Sequence, residues 1–178
     1  MPLTSRLIIE PLAHEHAEGL VAALSDPSVG AYLGGPEVTT VEAQHQRIDQ
    51  LAGGPGPERP NESWWNWAVR RRTDGLVLGY IQATGYGEWA EVAYVFGPAT
   101  SGQGFATEAV RWLMDHLHRV GAHELWATVD PANGPSVRLL ERVGFTMVPE
   151  PGRAVGSFDE GDLVFRHPAP AAPSATQG

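Results

Sequence analysis

One stretch near the middle of the chain constrains the fold more than any other. Residues 88–96 (EWAEVAYVF) read as a strand and end at Gly97. Residues 105–120 carry apolar side chains at spacings of three and four, which predicts an amphipathic helix. Residues 123–130 (HELWATVD) again predict a strand. Strand, helix and strand in this order form a βαβ unit, so we expect the two strands to be parallel neighbours.

The remaining segments extend this unit into an α/β (α+β) mixture. The predicted strands are 5–12, two within 63–84 joined at Asp74-Gly75, 145–149 and 161–167, and the predicted helices are 13–24, 41–54 and 135–143. A chain of 178 residues has room for one domain with a substantial core. We expect that domain over residues 1–167, and a disordered Pro/Ala-rich tail over 168–178.

Composition narrows the possible functions. The chain has no cysteine, which excludes disulfides and thiolate metal sites. Its net charge of −9 disfavours a nucleic-acid partner and favours cationic substrates. Its N-terminus does not read as a signal peptide, and no apolar run approaches about 18 to 20 residues, so we expect a cytoplasmic protein without a membrane partner. The pairs His14/His16 and His116/His118 lack the helical ligand spacing, so we expect no metal.

The sequence Gly-Gln-Gly at 102–104 joins the first strand of the βαβ unit to its helix. Backbone N–H groups at a helix start have no partner inside the helix, and the helix dipole favours an anion there. The stretch lacks the third glycine of a dinucleotide fingerprint and the Gly-Lys-Ser/Thr of an NTPase phosphate loop. Taken alone, it predicts either an anion site or a simple helix-capping turn.

Four motifs in order resemble the GNAT superfamily of acyl-CoA-dependent N-acyltransferases, in its Rim-type branch of ribosomal-protein N-terminal acetyltransferases. They are AEVAYVF (90–96), GQGFATEA (102–109), ATVDPAN (127–133) and SVRLLERVGF (136–145). The opening SRLIIEPLAHEHAEGL is also similar, and the resemblance runs from about Ser5 to about Phe165. It implies the GNAT fold, a mixed and mostly antiparallel sheet with a splayed central parallel strand pair and flanking helices.

The resemblance implies acetyl-CoA as cosubstrate, with its pyrophosphate held by the Gly-Gln-Gly loop. The implied cofactor-binding residues are Val95, Phe96, Gly102, Gln103, Gly104, Phe105, Ala106, Thr107 and Asn133. Asn133 matches the family Asn that binds the pantetheine arm, although it also fits an ordinary turn. The family loop often begins with Gln or Arg where this chain has Ser101, which implies weaker affinity. Arg138 either reaches a CoA phosphate or is an ordinary surface arginine.

Two residues are candidates for the proton transfers. Glu91, on the strand that faces the acetyl group, is the candidate base, with Glu88 in reserve; the alternatives are a solvated carboxylate and a water chain. Many GNAT enzymes protonate the thiolate with a Tyr at the position of Leu140, which cannot donate. Ser136 matches the Ser proposed instead in the Rim-type branch. Its hydroxyl is also a natural helix cap.

The candidate acceptor-binding residues are aromatic: Trp89, Tyr32, Trp65 and Tyr86. They either enclose an amine or belong to the core. We therefore predict an N-acetyltransferase that acts in a ternary complex on a primary amine, either a protein N-terminus or a small molecule. The alternatives are a non-catalytic acyl-CoA sensor and an enzyme for a longer acyl group. Family members are monomers or homodimers, and both states stay open.

Overall fold

The computed structural model describes residues 4–30, 32, 40–149, 156 and 158–168. Its strands are β1 (Leu7–Pro11), β2 (Ser63–Arg71), β3 (Val77–Gly85), β4 (Trp89–Phe96), β5 (Glu124–Val129), β6 (Thr146–Val148) and β7 (Leu163–Pro168). Its α-helices are α1 (Ala17–Leu24), α2 (Pro27–Gly30), α3 (Val41–Ala52), α4 (Phe105–Arg119) and α5 (Gly134–Arg142). Short 3₁₀ turns lie at His14–His16 and Pro98–Thr100.

The strands form one sheet in the order β1-β2-β3-β4-β5-β7-β6. All neighbouring strands pair antiparallel except β4 and β5, which are parallel, as the βαβ pattern predicts. The parallel ladder joins Trp89–Glu91 to Glu124–Trp126 and stops there. Since β4 continues to Phe96 and β5 to Val129, the two strands separate beyond that point and leave a gap.

One face of the sheet is covered by α4 and α5 and holds the main core. Alternate residues of β4 and β3, including Val92 and Ile81, pack there against Leu113 and Leu117 of α4. The period of two in the strands and the spacing of three and four in α4 bring these side chains to one layer. Leu113 and Leu117 are fully buried, so this layer fixes α4 against the sheet.

The other face is covered by α1 near the C-terminal end of β4. Leu20 of α1, Tyr80 of β3 and Val95 of β4 form a second buried cluster there. Gly97 follows β4, and a Cβ at this position would lie 2.2 Å from the carbonyl oxygen of Ala23. The absence of a side chain therefore lets α1 contact the end of β4 directly.

The predicted fold class is confirmed, with differences at the element boundaries. The helix predicted over 13–24 is a 3₁₀ turn followed by α1, and the short α2 was not predicted. Strand β7 includes Pro168, which the prediction assigned to the tail. Residues 169–178 lie outside the described residues. No helix in the described ranges is both long enough and apolar enough to cross a membrane.

We predict that Gly97→Ala destabilises the protein by about 1–3 kcal/mol, because the new methyl group overlaps the Ala23 carbonyl. Its φ of −66° and ψ of 145° are accessible to alanine, so the effect is steric. Gly53→Ala is the control: φ is −64° and the closest atom lies 3.4 Å away. Urea denaturation measures both changes, and equal stability of the two variants would contradict the tight contact.

Candidate active site

A cleft of about 550 Å³ opens where β4 and β5 separate. Its walls come from the end of β4, the loop before α4, the first turns of α4 and α5, and α2. Of the predicted residues, those that line the cleft are Tyr32, Val95, Phe96, Gly102, Gly104, Phe105, Ala106, Thr107, Asn133 and Ser136. The gap in the sheet thus brings together most of the predicted cofactor-binding residues.

The loop before α4 presents backbone donors to this cleft. Gly102 and Gly104 have φ of 75° and 78°, a left-handed conformation that glycine adopts without strain. Gly104 is the N-cap of α4 and makes no side-chain cap. The N–H groups of Phe105, Ala106 and Thr107 have no acceptor inside the helix. This geometry suits an anion such as a diphosphate.

Arg6, which the sequence analysis did not single out, fixes the orientation of this loop. Its Nη1 donates to the carbonyl oxygen of Gln103 at 2.8 Å, and its guanidinium lies over the Phe105 ring. In a trans peptide the carbonyl and the following N–H point in opposite directions. Holding the Gln103 carbonyl therefore turns the Gly104 N–H the other way. Gln103 itself is not among the cleft-lining residues.

Glu108, in the first turn of α4, anchors the N-terminal segment that carries Arg6. Its carboxylate accepts hydrogen bonds from Thr4 Oγ1, Ser5 Oγ, the Arg6 backbone N–H and Arg6 Nε. Burial alone raises the pKa of Glu108, but these donors outweigh it and lower the pKa. The carboxylate is thus ionised and paired with Arg6 beside the helix N-terminus.

The opposite wall of the cleft carries two cations. Arg138 and Arg142 lie four residues apart on α5, so they share one face of that helix, and both line the cleft. Both are exposed. The loop lacks lysine and arginine, and these two side chains supply positive charge near it.

Ser136 and Tyr94 meet inside the cleft. Tyr94 Oη lies 2.7 Å from Ser136 Oγ and 3.3 Å from the Ser136 carbonyl oxygen. Burial raises the pKa of Tyr94 to about 12, so its phenol stays protonated. The contact joins β4 to α5 across the gap. Leu140 is buried in the core, and the phenol beside Ser136 comes from β4.

Of the two roles considered for Ser136, helix cap and proton donor to the thiolate, the cap is provided by another residue. Asn133 Oδ1 accepts the Ser136 backbone N–H at 3.2 Å, so Asn133 caps α5. The Ser136 hydroxyl makes no such cap and contacts Tyr94 instead. Capping also shows that Asn133 is a structural residue of this turn, while it lines the cleft.

Glu91 lies on the other face of β4, because it is three residues from Tyr94. The residue is 7% exposed, and Oε2 accepts the Gly156 N–H at 3.0 Å. It is the last residue of β4 in the parallel ladder. The candidate base and the candidate acid therefore flank β4 from opposite faces, next to the start of the gap.

The four predicted acceptor-binding aromatic residues do not lie together. Tyr32 lines the cleft. Tyr86 and Trp89 stack with ring centroids 4.1 Å apart and border a separate cavity of about 320 Å³. The reserve base Glu88 also lines that cavity. Trp65 packs against the main core and covers Gly85, on the face opposite Glu91.

The profile of the acetyltransferase (GNAT) domain matches residues 6–146 of this chain. The chain belongs to the GNAT acetyltransferase family. It is therefore an acyltransferase enzyme. This GNAT chain is 28% identical, over 145 residues and 80% of each chain, to the uncharacterized N-acetyltransferase p20 of Bacillus licheniformis.

Two further relatives of this GNAT chain have named ligands or substrates. An L-methionine sulfoximine/L-methionine sulfone acetyltransferase of Salmonella typhimurium is 29% identical over 104 residues, 52% of this chain and 58% of that protein. Mycobacterium smegmatis RimJ in complex with CoA-disulfide has a TM-score of 0.73 and 21% identity, covering 92% of this chain and 82% of RimJ. The fold of this GNAT chain is thus shared with a Rim-type acetyltransferase.

We predict that Arg6→Gln weakens acetyl-CoA binding about tenfold, because the Gln103–Gly104 peptide loses its charged anchor. Arg119→Gln is the control, since Arg119 is exposed at the other end of α4. Titration calorimetry gives both dissociation constants. An unchanged constant for Arg6→Gln in a folded protein would show that the loop holds its geometry without Arg6.

Proposed function

We propose that the protein transfers the acetyl group of acetyl-CoA to an amine, by direct transfer in a ternary complex. The observation that carries this proposal is the Tyr94–Ser136 contact inside a cleft whose far end is the N-terminus of α4. One end of the cleft suits a diphosphate and the other holds two hydroxyl donors. Acetyl-CoA carries a pyrophosphate and a thioester sulfur in one molecule, and these two ends of the cleft suit those two groups.

The cleft fits the cosubstrate in its donors and charge. The N–H groups of Phe105, Ala106 and Thr107 are available for pyrophosphate oxygens. Arg138 and Arg142 stand on the facing helix for the remaining phosphate charge. The edge of β4 beyond Glu91 has no ladder with β5, so its backbone around Val95 can pair with the amides of pantetheine.

Acetyl transfer breaks the C–S bond of the thioester and forms a C–N bond to the amine. The amine must first lose a proton, because an ammonium has no lone pair, and the departing thiolate must gain one. Glu91 is the group we assign to the first proton, directly or through a water. Ser136 is the group we assign to the second. Their placement on opposite faces of β4 keeps the two proton transfers apart.

Tyr94 completes this arrangement as the partner of Ser136. With a pKa of about 12 it is a neutral donor at working pH and does not act as a base. The single phenol proton can go to the Ser136 carbonyl oxygen or to Ser136 Oγ; when it goes to Oγ, the serine O–H is directed away from the phenol and is available to sulfur. Tyr94 is therefore a positioning residue for Ser136.

The acceptor is either a protein N-terminus or a small-molecule amine. RimJ is a Rim-type enzyme, and the Salmonella relative is named for two small amino-acid analogues. The acidic chain, with a net charge of −9, attracts a cationic amine of either size. We further propose that the protein is cytoplasmic and is a monomer or a homodimer.

A thiol-release assay tests the function. Acetyl-CoA is mixed with a panel of amines and N-terminal peptides, and free CoA is measured over time. We expect saturable release that requires an amine. Acetyl-CoA binding without release on any amine would favour the sensor alternative, and faster release from propionyl- or succinyl-CoA would favour the longer acyl group.

We predict that Ser136→Ala and Tyr94→Phe each lower kcat roughly 10- to 100-fold, with little change in the affinity for acetyl-CoA. The double variant should be no slower than the worse single variant, because the two hydroxyls act as one unit. The effect of Tyr94→Phe should be the same at every pH between about 7 and 10, since the phenol does not ionise there.

Ser63→Ala, at an exposed position that starts β2, controls for loss of a serine hydroxyl. Multiplicative losses in the double variant would mean that Tyr94 and Ser136 act separately. Full activity of Ser136→Ala would remove Ser136 from the chemistry.

A further inference from the structure

Within the described residues, the face of the sheet that carries Glu91 is only partly covered, and Gly156 lies against it at Glu91 and Tyr86. Where α1 packs, this face is apolar and buried, with Leu20, Tyr80 and Val95. Towards the start of β4 the side chains on β2, β3 and β4 become polar or aromatic and half-buried. We call this region the polar groove; it consists of Trp64, Asn66, Gln82, Thr84, Tyr86, Trp89 and Ala93, with Glu91 buried among them.

The opposite face of the same strands is packed. Val69, Ile81, Ala83, Ala90 and Val92 are all buried under α4 and its neighbours. Antiparallel strands such as β2, β3 and β4 commonly pack one face and leave the other open, and ligand sites combine such a surface with a few converging polar groups. The polar groove lies beside the point where β4 and β5 separate, so a molecule in it reaches the thioester end of the cleft.

Arg47 of α3 borders this groove without a carboxylate partner in the described part of the chain. Its Nη2 donates to Tyr80 Oη at 3.0 Å, and its guanidinium lies over the Tyr80 ring, 5.0 Å from the centroid. The other half-buried arginines that the structure describes each pair with a carboxylate; they are Arg70 with Glu10, Arg71 with Asp74 and Arg166 with Glu124.

A half-buried guanidinium that faces only a neutral phenol gains from an added anion, because charge-assisted bonds are about twice as strong as neutral ones. Tyr80 is paired with Val95, and Gln82 with Ala93. The two pairs are about 7 Å apart along the strands. Arg47 therefore lies close enough for a small ligand beside Gln82 and Ala93 to reach it, while Glu91, paired with Thr84, lies about 7 Å further along the strands.

Gln82 adds a complementary feature at the middle of the groove. Its Oε1 is buried and has no hydrogen-bond donor among the described residues. A buried amide oxygen without a donor is destabilising until an N–H reaches it. The groove thus offers an acceptor oxygen at Gln82, a carboxylate at Glu91 and a cation at Arg47.

We propose that the acceptor is an amine that carries its own carboxylate, of the amino-acid class, with the carboxylate bound by Arg47. This inference rests on the proposed acetyl transfer and names its substrate. The amine lies towards Glu91 and donates to Gln82 Oε1, and the carboxylate replaces the missing partner of Arg47. A protein N-terminus fits less well, because its first carbonyl is an uncharged amide.

Matched acceptors test this directly. The standard L-amino acids and their C-terminal amides are compared in the thiol-release assay, since each pair differs only in the carboxylate. We expect at least one free amino acid to be used about 10- to 100-fold better, in kcat/KM, than its amide. Amides or N-terminal peptides that are used as well as the free acids would overturn the proposal.

Substitutions of Arg47 test whether this residue causes the preference for the free acid. Arg47→Met should remove the preference, so that kcat/KM for the free acid falls to about that for its amide. Arg47→Lys should keep part of the preference for the free acid, because lysine retains the positive charge but lacks the planar guanidinium that can bind both carboxylate oxygens. Arg59→Met is the control, since Arg59 also lies over a ring of this face, that of Trp64, but is exposed and paired with Glu62.

The assignment would be overturned if Arg47→Met and Arg59→Met reduced the preference for the free amino acid equally. It would also be overturned if this preference survived Arg47→Met in a folded protein. Absence of release on every free amino acid would also overturn it. Release on amines without a carboxylate would then still support acetyl transfer, so the two proposals fail separately. Thermal unfolding of each variant shows whether it is folded.

Discussion

The early end of the β4–β5 ladder is the constraint on which the rest of the site depends. Three residues of each strand pair in parallel, and the strands then separate while each keeps its antiparallel neighbour. The α4 and α5 layer holds this shape from one side, and α1 holds it from the other at the end of β4. A gap in the middle of a packed sheet leaves backbone groups of β4 without ladder partners. A ligand with its own amides can satisfy them.

The same geometry explains why the candidate groups lie where they do. Because side chains alternate along β4, Glu91 and Tyr94 project to opposite faces close to the point of separation. Tyr94 reaches Ser136 at the start of α5, and Glu91 faces the partly covered side of the sheet. In the proposed reaction, the cosubstrate and the acceptor would therefore approach β4 from different directions.

Most of the fold could be predicted because it rests on local patterns. The strand at 88–96, the helix at 105–120 and the strand at 123–130 follow from periodicity, and their parallel pairing follows from chain connectivity. The glycines at 102 and 104 marked the loop. The family assignment, made from four motifs in order, is confirmed by the match over residues 6–146.

Features that depend on distant contacts could not be predicted. Arg6 is 97 residues from Gln103, and nothing in the sequence pattern joins them. Tyr94 could have been noticed, since alternation places it on the face opposite Glu91, but its partner Ser136 is 42 residues away. The capping role of Asn133 is local by contrast, because Ser136 is three residues away and asparagine is a common N-cap residue. The contact of Arg47 with Tyr80, 33 residues away, appears only when separate elements pack. The aromatic residues predicted as one acceptor pocket are divided between the cleft, a second cavity and the core.

Thermal unfolding with acetyl-CoA tests most directly whether the gap between β4 and β5 is an acyl-CoA site. Ligand at 100 times its dissociation constant adds about 2.7 kcal/mol to the free energy of unfolding, or roughly 5–10 °C in Tm for a chain of this size. We expect this shift with acetyl-CoA and CoA but not with ATP. We expect its loss in Gly104→Glu and its retention in Gly121→Glu, a substitution at another left-handed glycine, beyond the far end of α4. No shift at millimolar CoA, or an equal shift with ATP, would contradict the account.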